Sequence, residues 1–218
     1  KRPDLITVRI MGMADGGPAL DYTVNSAVGF PDLTGTGPAP VNHVLPAWDL
    51  LTGAYAAFAM MAALHHRKAT GAGQEVRIPL SDVAIGTVSN LGMLAEVLDT
   101  GDNRKRLGNT VYGAFGRDFV TADNIRLMIM AITPRQWTGL VKVLDIAGEI
   151  AVIESTRRVS FARDEGARFE HRDALFTLVE AKVSKRLFDD LKAAFDANGC
   201  CYGPYQTMKQ AARDPVLV

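Results

Sequence analysis

The sequence predicts an α/β protein in two lobes, residues 1–105 and residues 106–218. Short runs in which polar and apolar residues alternate, typical of strands, lie between longer helical stretches, which is the pattern of a mixed fold. A polar stretch at residues 100–106 separates two differently patterned halves. With 218 residues, 48% of them hydrophobic, the chain can bury one large core or two small ones.

The first lobe is predicted to open with a strand at residues 5–10, where polar and apolar residues alternate. Residues 12–38 are rich in glycine and weakly patterned, so we expect a loop there. A helix should start at Pro46, because proline favours the first helical position, and run to residue 68. Its many alanines suggest close packing in a crowded interior.

Residues 70–73 should end this helix, and a short strand should follow at residues 75–78. The two glycines at 71 and 73 indicate a turn rather than a phosphate-binding loop, because such a loop follows a strand and precedes a helix. A second helix, capped by Ser81 or Asp82, should reach about residue 98.

In the second lobe, two strands at residues 115–120 and 125–132 are expected to pair around a polar turn. The other predicted elements are helices at residues 134–144, 161–195 (with Asn198 and Gly199 as the C-terminal cap) and 207–213.

Composition excludes several classes of protein. Lysine plus arginine and aspartate plus glutamate number 24 each, and no basic stripe is present, so we expect no nucleic-acid partner. The most apolar run, residues 53–64, is shorter than the ~20 residues that span a bilayer, so we expect no membrane span. Cys200 and Cys201 are adjacent and unable to bridge each other, and are expected to be small buried residues. With no signal peptide, a cytoplasmic location is expected.

The histidines do not form a metal site, since His43, His65, His66 and His171 lack ligand spacing to a second ligand. We expect no metal. The adjacent pair, His65 and His66, should be solvated at a helix end. A Gly-x-Ser-x-Gly elbow is also absent from the sequence, so serine hydrolase chemistry has no support.

Asp49 is the residue that we single out. It lies in the first turn of the helix predicted after Pro46, and His43 precedes it in a loop. One interpretation is a carboxylate that stabilises the helix N-terminus. The other is a nucleophile that the same helix N-terminus keeps ionised. Local pattern leaves both open.

A set of ordered motifs extends over almost the whole chain. Its main segment is residues 41–53, reading VNHVLPAWDLLTG, followed by TGAGQ at residues 70–74. Further segments are found at residues 16–18, 80–84, 106–109, 136–137 and 214–215. In this order and spacing the sequence resembles the class III CoA-transferases, the CaiB/BaiF family.

The resemblance implies an α/β fold made of part of a large Rossmann-like domain and a small α+β domain. It implies that Asp49 is a nucleophile that carries CoA as an aspartyl thioester. No permanently bound cofactor is expected, because coenzyme A is part of the substrate. A racemase branch of the family uses a histidine at the position of Leu20, so proton transfer at an α-carbon is not expected.

Residues 21–25, 41–49 and 112–119 most resemble members that move CoA from C1 to C4 of one branched unsaturated dicarboxylate. The alternatives are transfer between two separate acids, or a non-catalytic segment. Candidate residues that bind the acyl-CoA and dicarboxylate substrate are Asp21, His43, Arg106 and Arg117, and Leu80 is a candidate contact to coenzyme A.

Members of this family are longer and form interlocked homodimers, so the resemblance implies a homodimer for the full-length protein. Their chains begin with a Rossmann-like segment that supplies many contacts to CoA. This sequence starts without methionine, on a strand-like run, and is expected to be an internal segment. Such a segment is expected to bind CoA weakly or not at all.

Overall fold

The computed structural model describes residues 2–217 of the chain. They form two compact units that divide between Gly108 and Asn109, each with an apolar core of its own. The division falls a few residues after the boundary that the sequence suggests. The Gly108 amide donates to the Gly35 carbonyl at 3.1 Å, which ties the polar stretch to the first unit.

The first unit combines two parallel strands with several helices. In chain order these are β1 (Thr7–Met11), α1 (Asp21–Ala27), α2 (Phe30–Leu33), α3 (Ala47–Thr70), β2 (Glu75–Pro79), α4 (Leu80–Asn90) and α5 (Met93–Thr100). Thr7 of β1 lies opposite Glu75 of β2. Parallel strands need a long crossover connection, and α3 lies within it.

The short helices α1 and α2 lie where a loop was predicted, so that prediction was wrong. Their sequences carry little helical pattern, and tertiary contacts stabilise them instead. Val24 of α1 packs in the same core as Trp48 of α3. The Thr23 hydroxyl accepts the Leu20 amide at 3.0 Å and so closes the first turn of α1. Packing here outweighs intrinsic propensity.

Helix α3 follows Pro46 as predicted and ends at Gly71, whose φ of 75° suits glycine and whose amide donates to the Arg67 carbonyl at 2.8 Å. His65 and His66 are exposed near its end, as expected. The expectation of a crowded interior was wrong for the described residues. The side chains that α3 buries are Trp48, Thr52 and Ala63.

By length and composition alone, α3 is apolar enough to cross a membrane. The helix is longer than the apolar run at residues 53–64, because apolar residues also precede that run. One helix of this kind is by itself weak evidence of a membrane span.

The predicted single helix over residues 81–98 is two helices, α4 and α5. Gly92 separates them with a φ of 76°. The expected cap was also wrong, since α4 begins directly after Pro79 without a side-chain cap. Ser81 instead donates its amide to the Gly12 carbonyl at 3.2 Å, and its hydroxyl contacts Asp82.

The second unit is a small α+β structure around an antiparallel sheet in the order β3-β4-β5. Its elements are β3 (Phe115–Val120), β4 (Arg126–Ala131), α6 (Pro134–Leu144), α7 (Ala147–Arg157), α8 (Glu165–Glu170), α9 (Arg172–Val183), α10 (Phe188–Asn198), β5 (Cys201–Pro204) and α11 (Met208–Ala211). The strand pair, α6 and the glycine cap at Gly199 are confirmed. Helix α7 and strand β5 were not predicted.

The two cysteines lie at the start of β5 rather than in the core. Cys201 is exposed, which contradicts the expectation of a small buried residue, and Cys200 is half-buried. Burial raises the pKa of the Cys200 thiol to about 11. Because the thiolate is the reactive form, Cys200 is a poor nucleophile at neutral pH.

Candidate active site

Asp49 is the third residue of α3, a helix of 24 residues. Its side chain is exposed, and its carboxylate bonds to no residue in the described part of the chain. The aligned peptide dipoles of a helix favour a negative charge at this end. The position therefore presents a carboxylate without a protein partner, among the described residues, at the N-terminus of a long helix.

Asp21, the first residue of α1, lies directly against the start of α3. Its Oδ2 accepts the backbone amide of Trp48 at 2.7 Å and that of Asp49 at 3.1 Å. The Asp21 side chain is buried, being 3% exposed. Its carboxylate therefore does for α3 what an N-cap side chain does within a single helix.

A second contact from α1 holds the same turn. Asn25 Oδ1 accepts the indole N–H of Trp48 at 3.1 Å, and Asn25 Nδ2 donates to Asn42 Oδ1 at 3.1 Å. The Trp48 ring is buried and contacts the Phe30 ring, with centroids 5.5 Å apart. Residue 48 is thus held through both its backbone and its side chain.

Three buried polar atoms around this turn have no hydrogen-bond partner among the described residues: Asp21 Oδ1, His43 Nδ1 and Thr52 Oγ1. Other helical threonines, such as Thr70 and Thr87, donate to the carbonyl four residues earlier. Thr52 is buried and does not. Buried polar atoms usually have partners, so these three atoms mark places where a polar ligand atom or a water fits.

Arg106, a predicted carboxylate ligand, is engaged within the first unit. Its Nη2 pairs with Asp32 Oδ1 at 2.8 Å, and its Nε donates to the Asp32 carbonyl. The other terminal nitrogen donates to the Gly37 and Ala39 carbonyls. The guanidinium therefore anchors the loop after α2, and its binding of a substrate stays a prediction.

Arg117 lies on β3 in the second unit. Its guanidinium pairs with Glu180 at 2.9 Å and lies over the rings of Phe119 and Phe176, at 4.8 and 5.0 Å from their centroids. These contacts account for its position without a ligand. Its predicted role toward a substrate stays a prediction.

Leu80 and Leu20 differ in exposure. The Leu80 side chain is buried in the core of the first unit, so a contact to CoA would have to come from its backbone. Leu20, at the position of the racemase histidine, is 74% exposed and directly precedes Asp21. An isobutyl side chain has no group that can exchange a proton.

The structure thus brings Asp21 and Asp49 together, whereas no hydrogen bond or ion pair of the described residues joins His43 or Arg106 to either of them. Asn25 was not predicted from the sequence. The spacing of Asp21 and Asn25, one helical turn apart, could have found it had α1 been predicted. Residues 2–217 contain no cluster of three His, Cys, Asp or Glu side chains suited to a metal ion.

The first unit also contains an apolar cavity of about 440 Å³. Its walls come from α2, α4 and α5 and include Phe30, which contacts Trp48. An apolar cavity of this volume is within the range of small-molecule pockets.

The sequence matches the model of CoA-transferase family III over residues 1–218. The chain belongs to CoA-transferase family III. This confirms the resemblance and the expected fold class. A CaiB/BaiF family protein from Brucella suis has the same fold, with a TM-score of 0.71 and 27% identity over 99% of this chain and 56% of that one. A Mycobacterium tuberculosis protein with 23% identity shares the fold at a TM-score of 0.77, covering 99% of this chain and 55% of its own.

Among curated relatives, 2-methylfumaryl-CoA isomerase of Chloroflexus aurantiacus is 41% identical over 217 residues, which are 98% of this chain and 53% of the relative. Succinate–glutarate CoA-transferase of Agrobacterium fabrum is 28% identical over 98% of this chain and 52% of its own length. The chain therefore spans about half the length of the curated relatives that it matches.

Proposed function

We propose that the complete gene product carrying this chain moves CoA from C1 to C4 of 2-methylfumaryl-CoA, with Asp49 as the covalent nucleophile. The observation that carries the proposal is the free carboxylate of Asp49 at the start of α3. The 41% identity to 2-methylfumaryl-CoA isomerase supports the choice of substrate.

The first half of the reaction transfers CoA to the enzyme. The Asp49 carboxylate attacks the C1 thioester carbonyl, and the C–S bond breaks to give a mixed anhydride and CoA thiolate. The thiolate then attacks the aspartyl carbonyl. This step releases the C1 carboxylate and leaves CoA bound to Asp49 as a thioester.

The second half returns CoA to the other end of the same acid. The C4 carboxylate attacks the aspartyl thioester and expels thiolate, which gives a second mixed anhydride. Attack of the thiolate at the C4 carbonyl forms the C4 thioester and restores the Asp49 carboxylate. The thioester energy is kept in covalent bonds throughout, so the scheme needs neither ATP nor a permanently bound cofactor.

His43 is the candidate substrate ligand that the geometry favours most. It precedes α3 in the chain, and its Nδ1 is buried without a partner among the described residues. A hydrogen bond from His43 to the carboxylate that does not react would orient the acid. Asp21, Arg106 and Arg117 already have protein partners.

The second candidate function is CoA transfer between two separate acids. The observation in its favour is the 28% identity to succinate–glutarate CoA-transferase, whose name describes a transfer of this kind. Both reactions use the same aspartyl chemistry and differ in whether the first acid leaves. A cytoplasmic homodimer is part of the proposal in either case.

The test is to incubate the gene product with 2-methylfumaryl-CoA, trap with hydroxylamine and map the modified peptide by mass spectrometry. We expect a hydroxamate at Asp49, and loss of at least about 10³-fold of turnover in Asp49→Asn, as expected for a missing nucleophile. Isotopically labelled free acid added to the reaction should stay out of the product, and its incorporation would favour intermolecular transfer.

Asp190→Asn is the matched control. Asp190 is also an exposed aspartate at the third position of a helix, α10, and its side chain bonds to none of the described residues. Its substitution should leave turnover unchanged. If Asp49→Asn kept a turnover close to wild type, Asp49 would only stabilise the helix, with a contribution of at most about 1 kcal/mol to the free energy of unfolding.

A further inference from the structure

The first turn of α3 has every backbone donor satisfied. A helix normally leaves these N–H groups without partners inside the helix. Pro46, which precedes the helix, has no N–H to satisfy. The Ala47 amide donates to the carbonyl two residues earlier at 2.8 Å. The Trp48 and Asp49 amides share Asp21 Oδ2.

The cap that Asp21 provides has a consequence for the side chain of Asp49. A carboxylate at the third position of a helix can accept hydrogen bonds from first-turn amides that have no partner within the helix. Asp49 occupies this position, yet its carboxylate bonds to no described residue. With Asp21 already on the amides of Trp48 and Asp49, the first turn leaves no such donor free.

The lack of hydrogen bonds from the described residues to the Asp49 carboxylate matters for its proposed role as a nucleophile. A carboxylate held by the amides of its own helix would have its lone pairs occupied and its charge stabilised by those hydrogen bonds, both of which oppose attack on a thioester. The structure divides the two tasks between two aspartates. Asp21, which is buried, caps the helix, and Asp49, which is exposed, is available to react.

Helix α1 also fixes where the start of α3 lies. Asp21 and Asn25 are one turn apart and project from the same side of α1. Both contact Trp48, one at its backbone amide and the other at its indole N–H. Two contacts at different distances from the helix axis restrict both rotation and sliding of the turn that carries Asp49.

We propose that Asp21 is a positioning residue for Asp49: its carboxylate caps α3 from another helix and so holds the Asp49 carboxylate free and in place for attack. The inference rests on the proposed function of Asp49. It differs from the sequence-based expectation that Asp21 contacts the substrate.

The test compares Asp21→Ala with the wild-type gene product in the CoA transfer assay. Without the cap, the Asp49 carboxylate can fold back onto its own helix. We expect kcat to fall about 10²-fold, as for a misplaced reacting group, while KM for the acyl-CoA changes by less than about threefold. A residue that bound the substrate would mainly raise KM.

Two close variants of Asp21 separate the effect of the position of its oxygen acceptor from the effect of its negative charge. Asp21→Asn keeps an oxygen acceptor at the same place, so its kcat should stay within about fivefold of wild type. Asp21→Glu keeps the charge and moves the acceptor by one methylene, so its kcat should fall. If Asp21→Ala does not fold, the comparison of Asp21→Asn with Asp21→Glu tests the proposal. A fast Glu variant with a slow Asn variant would overturn the proposal.

The matched control is Asp164→Ala, which removes a cap of the same kind from α8, where Asp164 Oδ1 accepts the Ala167 amide at 3.0 Å. It should lower the thermal midpoint much as Asp21→Ala does and leave kcat unchanged. A folded Asp21→Ala protein with wild-type kcat would overturn the proposal. Failure of the proposed function is distinguishable, because the wild-type protein would then give no hydroxamate at Asp49.

Discussion

Asp118 on β3 is a carboxylate whose ionised form the fold stabilises. Burial alone would raise the pKa of Asp118, but hydrogen bonds from Arg126 and Asn109 outweigh that effect and hold it below the ordinary value of 3.8. Its side chain is 16% exposed, so solvent screens the ion pair with Arg126 only in part.

The pH dependence follows from the sign of this shift. A group whose pKa is lower in the folded state stabilises the protein above its unfolded pKa, and this contribution disappears as pH falls through the folded value. We expect Asp118→Asn to lower the free energy of unfolding by about 1 kcal/mol at pH 7. The difference from wild type should disappear below the folded pKa.

Urea unfolding at pH values from 7 down to below the folded pKa of Asp118 measures the free energy of unfolding of the wild type and of Asp118→Asn. Asp190→Asn, in the same unit, changes a carboxylate that has no partner among the described residues and should give a constant, small difference. A deficit of Asp118→Asn that persisted unchanged at low pH would contradict the electrostatic explanation.

A residue of the candidate site can be predicted from sequence when its signal lies in neighbouring residues, and not when it depends on a contact between segments far apart in the chain. Asp49 could be found because its signal is local, a proline followed by an acidic residue in the first turn of a helix. Asp21 could be proposed only as a substrate ligand. Its contact with Trp48 and Asp49 joins segments far apart in the chain, and no local pattern encodes such a contact.

At the level of elements, two helical glycines in the second unit occupy opposite environments. A Cβ at Gly139 of α6 would lie 2.4 Å from the Asn198 carbonyl oxygen at the end of α10, whereas a Cβ at Gly148 of α7 would meet nothing within 4 Å. The close approach of α6 and α10 therefore requires glycine at position 139.

We expect Gly139→Ala to lower the stability of the protein by about 1–3 kcal/mol, because the methyl group would force the two helices apart. Gly148→Ala is the control and should be neutral or stabilising by up to about 1 kcal/mol. Thermal unfolding of both variants measures the contrast. Equal changes in stability for the two variants would show that helix propensity, and not packing against α10, determines the effect of the substitution at residue 139.

The helix boundaries that sequence predicted correctly are those with local start and stop signals, whereas the predicted helical stretch at residues 161–195 is divided into α8, α9 and α10. Helix α6 has proline at its first position, and α3 and α10 end at glycines with positive φ. Helix α1 was missed because its polar, weakly patterned sequence is helical through packing of Val24 and the contacts of Asp21. Strand β5 was missed because it is only four residues long and takes its register from β4.

At the scale of the whole chain, one side of α3 is apolar and exposed. Leu50, Phe58 and Met61 are 58%, 73% and 65% exposed. Their spacing, with Ala54 and Ala57 between them, puts them on one face of the helix. Soluble monomers rarely expose a contiguous apolar stripe of this kind.

We therefore expect the 218-residue chain, expressed alone, to self-associate through this face of α3. The measurement is light scattering after size-exclusion chromatography over a range of protein concentrations. Phe58→Gln combined with Met61→Gln should shift the chain toward monomer, because the two substitutions remove the largest exposed apolar side chains from the stripe.

The matched control is Val152→Gln combined with Leu187→Gln in the second unit. The side chains of Val152 and Leu187 are 66% and 52% exposed. The two substitutions remove apolar surface but leave α3 intact, so self-association should persist. A chain that stays monomeric at about 100 µM would contradict the prediction, since at that concentration a Kd in the micromolar range already gives mostly dimer. Loss of association in the control would place the contact on the second unit instead of on α3.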